Sequence, residues 1–350
     1  MTSYDIIDWK HVGAETEIWD VRSPSEFAED HIPCARNVPV LSDEERAEVG
    51  SLYRRDPFQA RKLGAAYIAE NVANLLRGTL RHQDGGLHPL VYCWRGGLRS
   101  QSIATILSHV GWRVHLLAGG YKAFRQVVRT ELESLPGQLQ FCILAGPTGA
   151  GKTALLQKLE SLGHQSLDLE GLAKHRGSLL GALPETPQPH QKQFESLLHH
   201  KLCSFAPDKP VWVEAESHRV GAVHIPDHLF KAMRRAPIIE LDVPRGERVE
   251  HLIENYNAWV NSPDLLVEKL RYLTRLRSKA TVESWIDLVK AKNWSQLTSE
   301  LLEFHYDPTY HNALKKFEGS RAQVKVESLR DFEQICDALL NASPGISNDQ

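Results

Sequence analysis

Two glycine-rich turns constrain the fold of this chain more than any other feature of its sequence. The first lies in PLVYCWRGGLRSQS, residues 89–102, and the second lies in LQFCILAGPTGAGKT, residues 139–153. In each, a short apolar run leads through glycines into a helical pattern, which predicts a buried strand, a tight loop and a helix. Repetition of this unit is typical of α/β domains with parallel strands.

Other apolar runs extend the same pattern and indicate two domains. They predict further strands within residues 15–23, 112–120, 211–217 and 237–243, whereas residues 42–80 and the chain from about 245 onward are helical in pattern. Pro136 and Gly137 end a helical stretch between the two glycine-rich turns, so we place the domain boundary there. The predicted domains are residues 1–135, residues 136–244, and a helical C-terminal extension over residues 245–350.

The composition is that of a soluble globular protein, with 42% hydrophobic and 24% charged residues. The N-terminal residues have no basic segment followed by an apolar one, and no run approaches the roughly 18 apolar residues of a membrane span. We therefore expect a cytoplasmic protein without membrane association. A formal net charge of −3 predicts no general attraction to nucleic acid, so a polyanionic partner would need local basic patches.

The second turn, GPTGAGKT, matches the phosphate-loop pattern G-x-x-x-x-G-K-[ST] in the required context, after a strand and before a helix. Its glycines allow backbone N–H groups to point at phosphate oxygens, Lys152 adds a positive charge, and the Thr153 hydroxyl suits Mg²⁺. An acidic partner is expected at the end of a neighbouring strand, where Glu214 and Glu216 are candidates, with Glu214 preferred. The predicted phosphate-binding residues are Gly146, Gly149, Gly151, Lys152 and Thr153, and the predicted metal ligands are Thr153 and Glu214.

The first turn places Cys93 at the end of a strand, before a helix that begins near Ser100. Loop amides and the helix dipole then converge on the sulfur and stabilise a thiolate or a persulfide-like anion. Such a field predicts a nucleophile rather than an inert core cysteine. The predicted catalytic residues are Cys93, Arg95, Gly96, Gly97 and Arg99.

The other cysteines lack this setting. Five cysteines without a CxxC pair predict neither a disulfide framework nor a zinc site. Cys142, Cys203 and Cys336 lie in apolar or helical patterns and are predicted to be small core residues. Cys34 follows Pro33 in a turn, where a structural role is favoured and a resolving thiol is the alternative.

Two motifs in the first half resemble the rhodanese family. DVRSPSEFAEDHIPCARNVP, residues 20–39, resembles the first rhodanese signature, and CWRGGLRS, residues 93–100, resembles the rhodanese active loop. The chain departs from the signature at Cys34, where glycine is usual. It also has five residues between Cys93 and Arg99, one more than sulfur-transferring rhodaneses have, which is a spacing similar to that of phosphatases of the same fold.

A rhodanese domain followed by a P-loop domain resembles one family in particular, tRNA 2-selenouridine synthase. The resemblance extends through the segments LYRRDPFQARKLGA, DLEGLAKHRGSLLG, VEAESHRVG and YDPTYHNALKKF. It implies that selenium replaces sulfur in 2-thiouridine at the wobble position of tRNA. Geranyl diphosphate would alkylate the sulfur and selenophosphate would then supply selenium, with no requirement for ATP, and an enzyme that supplies selenophosphate could be a partner.

The resemblance assigns roles to several residues. Cys93 would take up selenium or otherwise assist its delivery, while Arg95 and Arg99 would hold the selenophosphate oxygens. Lys152 and Mg²⁺ would stabilise the charge that develops on the leaving diphosphate. His175, Arg176 and Ser178, in HRGS, would line the diphosphate or tRNA site.

A tRNA substrate requires positive charge and an aromatic platform. KLRYLTRLRSK, residues 269–279, contains five cations and no acid, and a continuous helix would place Arg271, Arg275 and Lys279 on one face. A solvated helix face and a tRNA contact are equally good interpretations of this run. The predicted tRNA-binding residues are Trp94, Arg271, Arg275, Arg277 and Lys279.

Two other functions remain open from the sequence. The first is a rhodanese-type sulfurtransferase or a phosphatase fused to an ATP-dependent, kinase-like module. The second is a binding protein whose rhodanese fold only docks a partner, although such domains usually lack the loop cysteine that this chain has.

Overall fold

The computed structural model describes residues 4–13, 15–177, 186–255 and 262–343. The chain forms two compact units, of which the first comprises residues 1–131 and 190–200 and the second comprises residues 132–189 and 201–350. The segment 190–200 groups with the first unit although it follows the phosphate loop in sequence. A linear division of the chain does not anticipate this arrangement.

The secondary structure alternates between strands and helices. The strands are β1 (Asp5–Ile7), β2 (Ile18–Asp20), β3 (Arg36–Asn37), β4 (Leu90–Tyr92), β5 (His115–Leu117), β6 (Gln140–Ala145), β7 (Gln165–Leu167), β8 (Pro210–Glu214), β9 (Arg219–Val220), β10 (Val223–His224), β11 (Ile238–Asp242) and β12 (Arg321–Lys325). The α-helices are α1 (Pro24–Glu29), α2 (Asp43–Tyr53), α3 (Pro57–Arg77), α4 (Leu98–Val110), α5 (Gly120–Ser134), α6 (Lys152–Ser161), α7 (Leu169–Ala173), α8 (Gln191–Cys203), α9 (Asp227–Arg235), α10 (Arg245–Asn255), α11 (Pro263–Tyr272), α12 (Lys279–Lys290), α13 (Trp294–Leu301), α14 (Asp307–Leu314) and α15 (Phe332–Ala342). Short 3₁₀ helices cover Trp9–His11, Leu135–Gln138 and Leu273–Arg275, and a π-helical turn covers Leu302–Tyr306.

The first unit is built on a parallel sheet with the strand order β1-β5-β4-β2-β3. Every residue of β2 and β4 is buried, as expected for central strands that helices cover on both faces. Because all strands run in the same direction, the turns after β2, β4 and β5 meet at one edge of the sheet. Cys93 directly follows β4 at that edge.

The second unit contains another parallel sheet, with the order β12-β11-β6-β8-β7. The central strand β6 leads directly into the phosphate loop, and β7 and β8 end beside it at the same edge. The predicted fold class, a rhodanese-like α/β domain followed by a P-loop α/β domain and a helical region, is confirmed.

The C-terminal region is not purely helical. Leu270, Val282, Trp285 and Leu297 belong to a small apolar core shared by α11, α12 and α13. The chain then returns to the sheet and adds β12 alongside β11. The sequence did not predict β12, because this edge strand buries only Val324 and shows no apolar run.

The turn at Cys34 keeps the backbone conformation of a glycine. The N–H of Ala35 donates a hydrogen bond to the carbonyl of Ile32 at 3.0 Å, which closes a turn with Pro33 in its second position. Cys34, in the third position, has φ of +66°. A proline followed by a residue with positive φ is the pattern of a type II turn, where glycine is favoured. The chain therefore retains the signature's turn and accepts an unfavourable conformation at Cys34.

The remaining cysteines agree only in part with the sequence prediction. Cys142 and Cys336 are buried, and burial raises the pKa of each thiol to about 11, so they are core residues as predicted. Cys203 is exposed at the end of α8, so its prediction as a core residue was wrong. Cys34 is also exposed.

The Cys34 turn gives a test of this conformation. We expect Cys34→Gly to be about 1 kcal/mol more stable than Cys34→Ala, because only alanine keeps a Cβ atom at positive φ. Chemical denaturation of the two variants measures the difference. Equal stability of the two proteins would show that the turn relaxes to another conformation.

Candidate functional site: the thiol loop and the phosphate loop

Cys93 lies beneath the loop that follows β4. The residue is only 3% exposed, and its Sγ atom accepts a hydrogen bond from the Ser100 hydroxyl at 3.1 Å. The carbonyl of Gly97 lies 3.8 Å from the same sulfur. Residues 94–98 above it are half-buried or exposed. The loop therefore covers the sulfur and shields it from solvent.

Glycines hold the loop against the start of α5. The carbonyl of Cys93 accepts a hydrogen bond from the N–H of Tyr121 at 2.9 Å, and that of Trp94 accepts one from Lys122 at 3.0 Å. A Cβ atom on Gly120 would lie 2.4 Å from the Cys93 carbonyl oxygen, and Gly120 has φ of +59°. Sequence reasoning missed Gly120 as a site residue, although two consecutive glycines after a strand were a visible signal.

The loop presents positive potential to the sulfur. Gly97 precedes α4 and has no side chain to cap it. The first N–H groups of this helix therefore have no hydrogen-bond partner within the helix, and they lie at the loop. Arg95 is exposed and has no ion pair within the described residues. Gly96, with φ of +65°, allows the chain to turn back over Cys93.

Arg99 is held by a carboxylate that the sequence prediction did not include. Its guanidinium donates to Glu26 at 2.5 Å, and Arg46 lies 3.7 Å from the same carboxylate. Burial alone would raise the pKa of Glu26, but the hydrogen bond and charge of Arg99 lower it overall. Arg99 is thus a fixed part of the loop, and its predicted contact with selenophosphate would require it to share its donors with Glu26.

A buried polar network supports the loop from below. Arg22, 1% exposed, pairs with Asp20 at 2.6 Å and donates to the Asp30 carbonyl at 2.6 Å. Its guanidinium also lies 4.0 Å from the centre of the Tyr121 ring, and the Tyr121 hydroxyl donates to Asp30 at 2.7 Å. Tyr121 is the residue whose N–H binds the Cys93 carbonyl. The signature residues therefore act as the scaffold of the thiol loop.

Trp94 is 37% exposed and lies against Tyr121, with ring centroids 5.1 Å apart at a tilt of 37°. One side of the indole is thus occupied by protein. Its predicted role as a platform for a base stays a prediction.

The phosphate loop has the conformation its sequence predicts. Gly149 and Gly151 have φ of +84° and +75°, and α6 begins at Lys152 directly after Gly151. The Lys152 ammonium group donates to the Gly146 carbonyl at 2.8 Å, across the loop that a phosphate would occupy. These residues form an anion nest at the N-terminus of a helix.

Four acids surround this nest. The Thr153 hydroxyl donates to Glu170 at 3.3 Å, and the Glu170 N–H donates to Glu214 at 2.9 Å. Burial and the charge of Glu170 raise the pKa of Glu214 well above its usual range and that of Glu216 to about 8. Burial also raises the pKa of Asp168 and that of Glu170. The acids repel one another, and they would lose this repulsion if a cation bound among them.

These residues fit a magnesium ion that keeps much of its water. The Oε2 atom of Glu214 is buried and has no hydrogen-bond partner within the described residues. No three of these acids bring ligand oxygens within 4.8 Å of one another in the described ranges. Mg²⁺ typically uses one or two carboxylates together with waters and substrate phosphates. Thr153 and Glu214 were predicted as ligands, and the structure adds Glu170, whose acidic neighbours in DLEGL were the available signal.

A cavity of about 760 Å³ opens above the phosphate loop. This volume is within the range of about 300–1,000 Å³ that small-molecule sites occupy. His175 and Arg176, predicted to line this site, do so, while Ser178 lies outside the described residues. The C-terminal region contributes further lining residues, among them Leu252, Leu276 and residues of α14.

The basic run 269–279 does not form a continuous helix. Helix α11 ends at Tyr272, a 3₁₀ turn follows, and Ser278 caps α12 by accepting a hydrogen bond from the Thr281 N–H. The prediction that Arg271, Arg275 and Lys279 share one helix face was therefore wrong. The five cations of the run have no carboxylate partner within the described residues: Lys269, Arg271, Arg275, Arg277 and Lys279.

Comparison with known proteins agrees with the two-domain structure. A family model for the rhodanese-like domain matches residues 5–127, and one for the tRNA 2-selenouridine synthase AAA domain matches residues 139–264. A protein of Bdellovibrio bacteriovorus named tRNA 2-selenouridine synthase is 31% identical over 360 residues, covering 88% of this chain and 93% of its own length. The chain belongs to the tRNA 2-selenouridine synthase family.

Relatives with the same name confirm this membership. The protein of Hydrogenovibrio crunogenus is 31% identical over 355 residues, covering 93% of this chain and 95% of its own length. That of Nitrosomonas europaea is 38% identical over 248 residues, and the chain spans 64% of its length. No helix in the described ranges has the length and apolarity that a membrane crossing requires.

The acids around the phosphate loop lead to a test with Mg²⁺. At ten times its dissociation constant, a cation that binds only the folded state adds about 1.4 kcal/mol of stability, or about 2–4 °C in melting temperature. We expect Glu170→Gln to lose most of this increase in a thermal melt. Glu160→Gln is the control, because Glu160 is an exposed carboxylate that binds Lys201. An unchanged increase in the Glu170→Gln protein would exclude Glu170 as a ligand.

Proposed function

We propose that this chain is a tRNA-modifying transferase that replaces sulfur by selenium in 2-thiouridine at the wobble position. The reaction passes through an S-geranyl intermediate and uses geranyl diphosphate and selenophosphate. The observation that carries the proposal is the presence of two different anion-cradling loops, one around the Cys93 sulfur and one beside Lys152. The name of the relatives supports this assignment.

The first stage is assigned to the phosphate loop. The thiocarbonyl sulfur of the uridine attacks the allylic carbon of geranyl diphosphate, the C–O bond breaks, and diphosphate departs. Main-chain N–H groups of the loop and Lys152 hold the diphosphate and stabilise its growing charge. Mg²⁺ would be held by Thr153, Glu170 and Glu214 and would supply further neutralisation of the leaving group. No phosphoryl group is transferred, so ATP is not required.

The second stage is assigned to the thiol loop. Selenium from selenophosphate attacks the C2 carbon of the base, the C–S bond breaks, and the S-geranyl group leaves as a thiol. Hydrolysis of the P–Se bond releases phosphate, so no oxidant or reductant is consumed. Cys93 assists delivery of selenium, and the loop amides with Arg95 and Arg99 hold the selenophosphate oxygens.

The tRNA is assigned to the basic run of residues 269–279. Its cations are unpaired within the described residues, and exposed Tyr272 lies among them. Leu276, in the middle of the run, lines the phosphate-loop cavity, so a phosphate backbone bound there would pass the entrance of that cavity. We place the reaction in the cytoplasm, and an enzyme that supplies selenophosphate stays a proposed partner.

The two stages can be separated by mutation. We expect Cys93→Ala to keep geranylation of thiolated tRNA without ATP but to lose selenation by at least a hundredfold. We expect Lys152→Ala to lose geranylation to a similar extent, because an unneutralised diphosphate is a poor leaving group. Mass spectrometry of the nucleosides measures both products.

Matched controls exist for each variant. Cys203→Ser changes a cysteine outside the thiol loop, and Lys158→Ala removes another lysine of α6, whose partner is Glu333. Both should keep both stages. Loss of both stages in folded Cys93→Ala, or failure of Cys93 to react with a small alkylating reagent, would contradict the division of roles. Strict dependence on ATP would favour the kinase-like alternative.

The tRNA assignment has its own test. We expect Arg271→Ala combined with Arg275→Ala to weaken tRNA binding. The slope of log K against log salt should fall by about 1–2, because fewer counterions are released on binding when phosphate contacts are lost. Filter binding at several salt concentrations measures this slope. Lys290→Ala is the control, since Lys290 pairs with Asp287. An unchanged slope in the double variant would place the tRNA elsewhere.

A further inference from the structure

The residues that line the cavity above the phosphate loop form two chemically different sets along the chain. Its charged lining residues all precede residue 217 in the chain: Lys152, Asp168, Glu170, Lys174, Arg176 and Glu216. Its lining residues from 251 onward are uncharged or are histidines: His251, Leu252, Leu276, His305, Tyr306, Thr309, Tyr310 and Ala313. We name this second set the C-terminal wall.

The histidines of the C-terminal wall are neutral at neutral pH. Burial lowers the pKa of His251 and of His305, and Arg277 lowers the latter further. The Nδ1 atom of His305 is itself fully buried, so it does not face the cavity. The C-terminal wall therefore carries no charge, whereas every lysine, arginine and carboxylic side chain that lines the cavity belongs to the other set.

The π-helical turn Leu302–Tyr306 runs directly into α14, and together they supply five of the eight residues of this wall. Tyr306, Tyr310 and Ala313 are spaced at i, i+4 and i+7, which places them on one face of the helix. π-Helical turns are rare in proteins, and those that occur are often at functional sites.

The C-terminal wall is fixed to the phosphate loop by a buried ion pair. Arg248 binds Asp307, the first residue of α14, at 2.8 Å and donates to the Thr148 carbonyl in the loop at 3.2 Å. A Cβ atom on Gly149 would lie 2.9 Å from Leu252, so the loop and α10 are in close contact. These contacts therefore fix the distance between the phosphate loop and the C-terminal wall.

Hydroxyl groups of the C-terminal wall already use their protons within the protein. The Thr309 hydroxyl donates to the His305 carbonyl at 2.7 Å, and the Tyr310 hydroxyl donates to Glu240 at 3.0 Å. A nucleoside would bring a base and a ribose whose polar atoms need partners on this side. A hydrocarbon chain needs none.

We infer that the C-terminal wall binds the hydrocarbon chain of an allylic diphosphate whose diphosphate occupies the phosphate loop. This inference rests on the proposed function, because it takes geranyl diphosphate as the ligand of that loop. It assigns the prenyl chain to Leu276, Tyr306, Tyr310 and Ala313. It also makes α14 and the π-helical turn, rather than the P-loop itself, the part that selects this ligand over a nucleotide.

Binding of a ligand series tests the inference. With Mg²⁺ present, calorimetry on the full chain should show geranyl diphosphate binding at least about tenfold tighter than inorganic diphosphate, because burying the chain adds apolar contact. Dimethylallyl diphosphate should lie between the two. ATP should bind no more tightly than inorganic triphosphate.

Variants test whether the prenyl chain of the ligand lies on the C-terminal wall. Ala313→Phe should remove most of the difference in affinity between geranyl diphosphate and inorganic diphosphate, while inorganic diphosphate itself binds as before. Leu276 is 64% exposed, so Leu276→Asn should leave the fold intact. This variant should reduce the affinity difference between the two ligands severalfold. Asn312→Phe, at the neighbouring exposed position of α14, should have no effect.

Failure of the inference differs from failure of the proposed function. If geranyl diphosphate binds no tighter than inorganic diphosphate, or if both variants weaken the two ligands equally, the chain does not lie on this wall. If chain-dependent binding is present but no geranylated tRNA forms, the wall stands as the chain site and the proposed reaction is wrong.

Discussion

Both candidate sites lie in a glycine-containing turn at the carboxyl end of a parallel strand, where backbone N–H groups are free to face an anion. Such a turn requires left-handed residues, and Gly96 and Gly151 supply them with φ of +65° and +75°. The rest of each unit holds this turn in place. Gly120 admits the Cys93 carbonyl in the first unit, and α10 lies against Gly149 in the second. The two units thus use the same backbone arrangement, and they differ in the side chain that the loop holds, the Cys93 sulfur in one and the Lys152 ammonium group in the other.

The sequence predicted those features that a local pattern encodes. Apolar runs located β4, β6 and β8 because buried parallel strands are apolar throughout, and the glycines located both loops. Features that depend on distant contacts were missed. Glu26 meets Arg99 across 73 positions of the chain, and β12 is an edge strand with a single buried residue. Neither has a signature within its own segment.

The basic run shows why composition alone misleads. Five cations without an acid were visible in the sequence, but their common helical face assumed a helix that ends at Tyr272. Ser278 starts a new helix because its side chain caps it. The sequence therefore predicted the number of charges correctly. It did not predict their arrangement, because that depends on the helix break before Ser278. The rhodanese signature was more reliable, since Asp20, Arg22 and Asp30 interact within one short segment.

The two loops differ most in the charge that surrounds them. At the thiol loop, the Glu26 carboxylate is already bound by Arg99 and approached by Arg46. In the proposed second stage, an anionic reagent would therefore meet a carboxylate whose charge is already compensated. At the phosphate loop, a diphosphate must approach acids that burial and mutual repulsion hold partly protonated, such as Glu214 and Glu216. Lys152, Lys174 and Arg176 are the cations that line this cavity among the described residues. In the proposed reaction, a divalent cation held by the acids would offset their repulsion of the diphosphate, and its binding would relieve the mutual repulsion that raises their pKa values in the free protein.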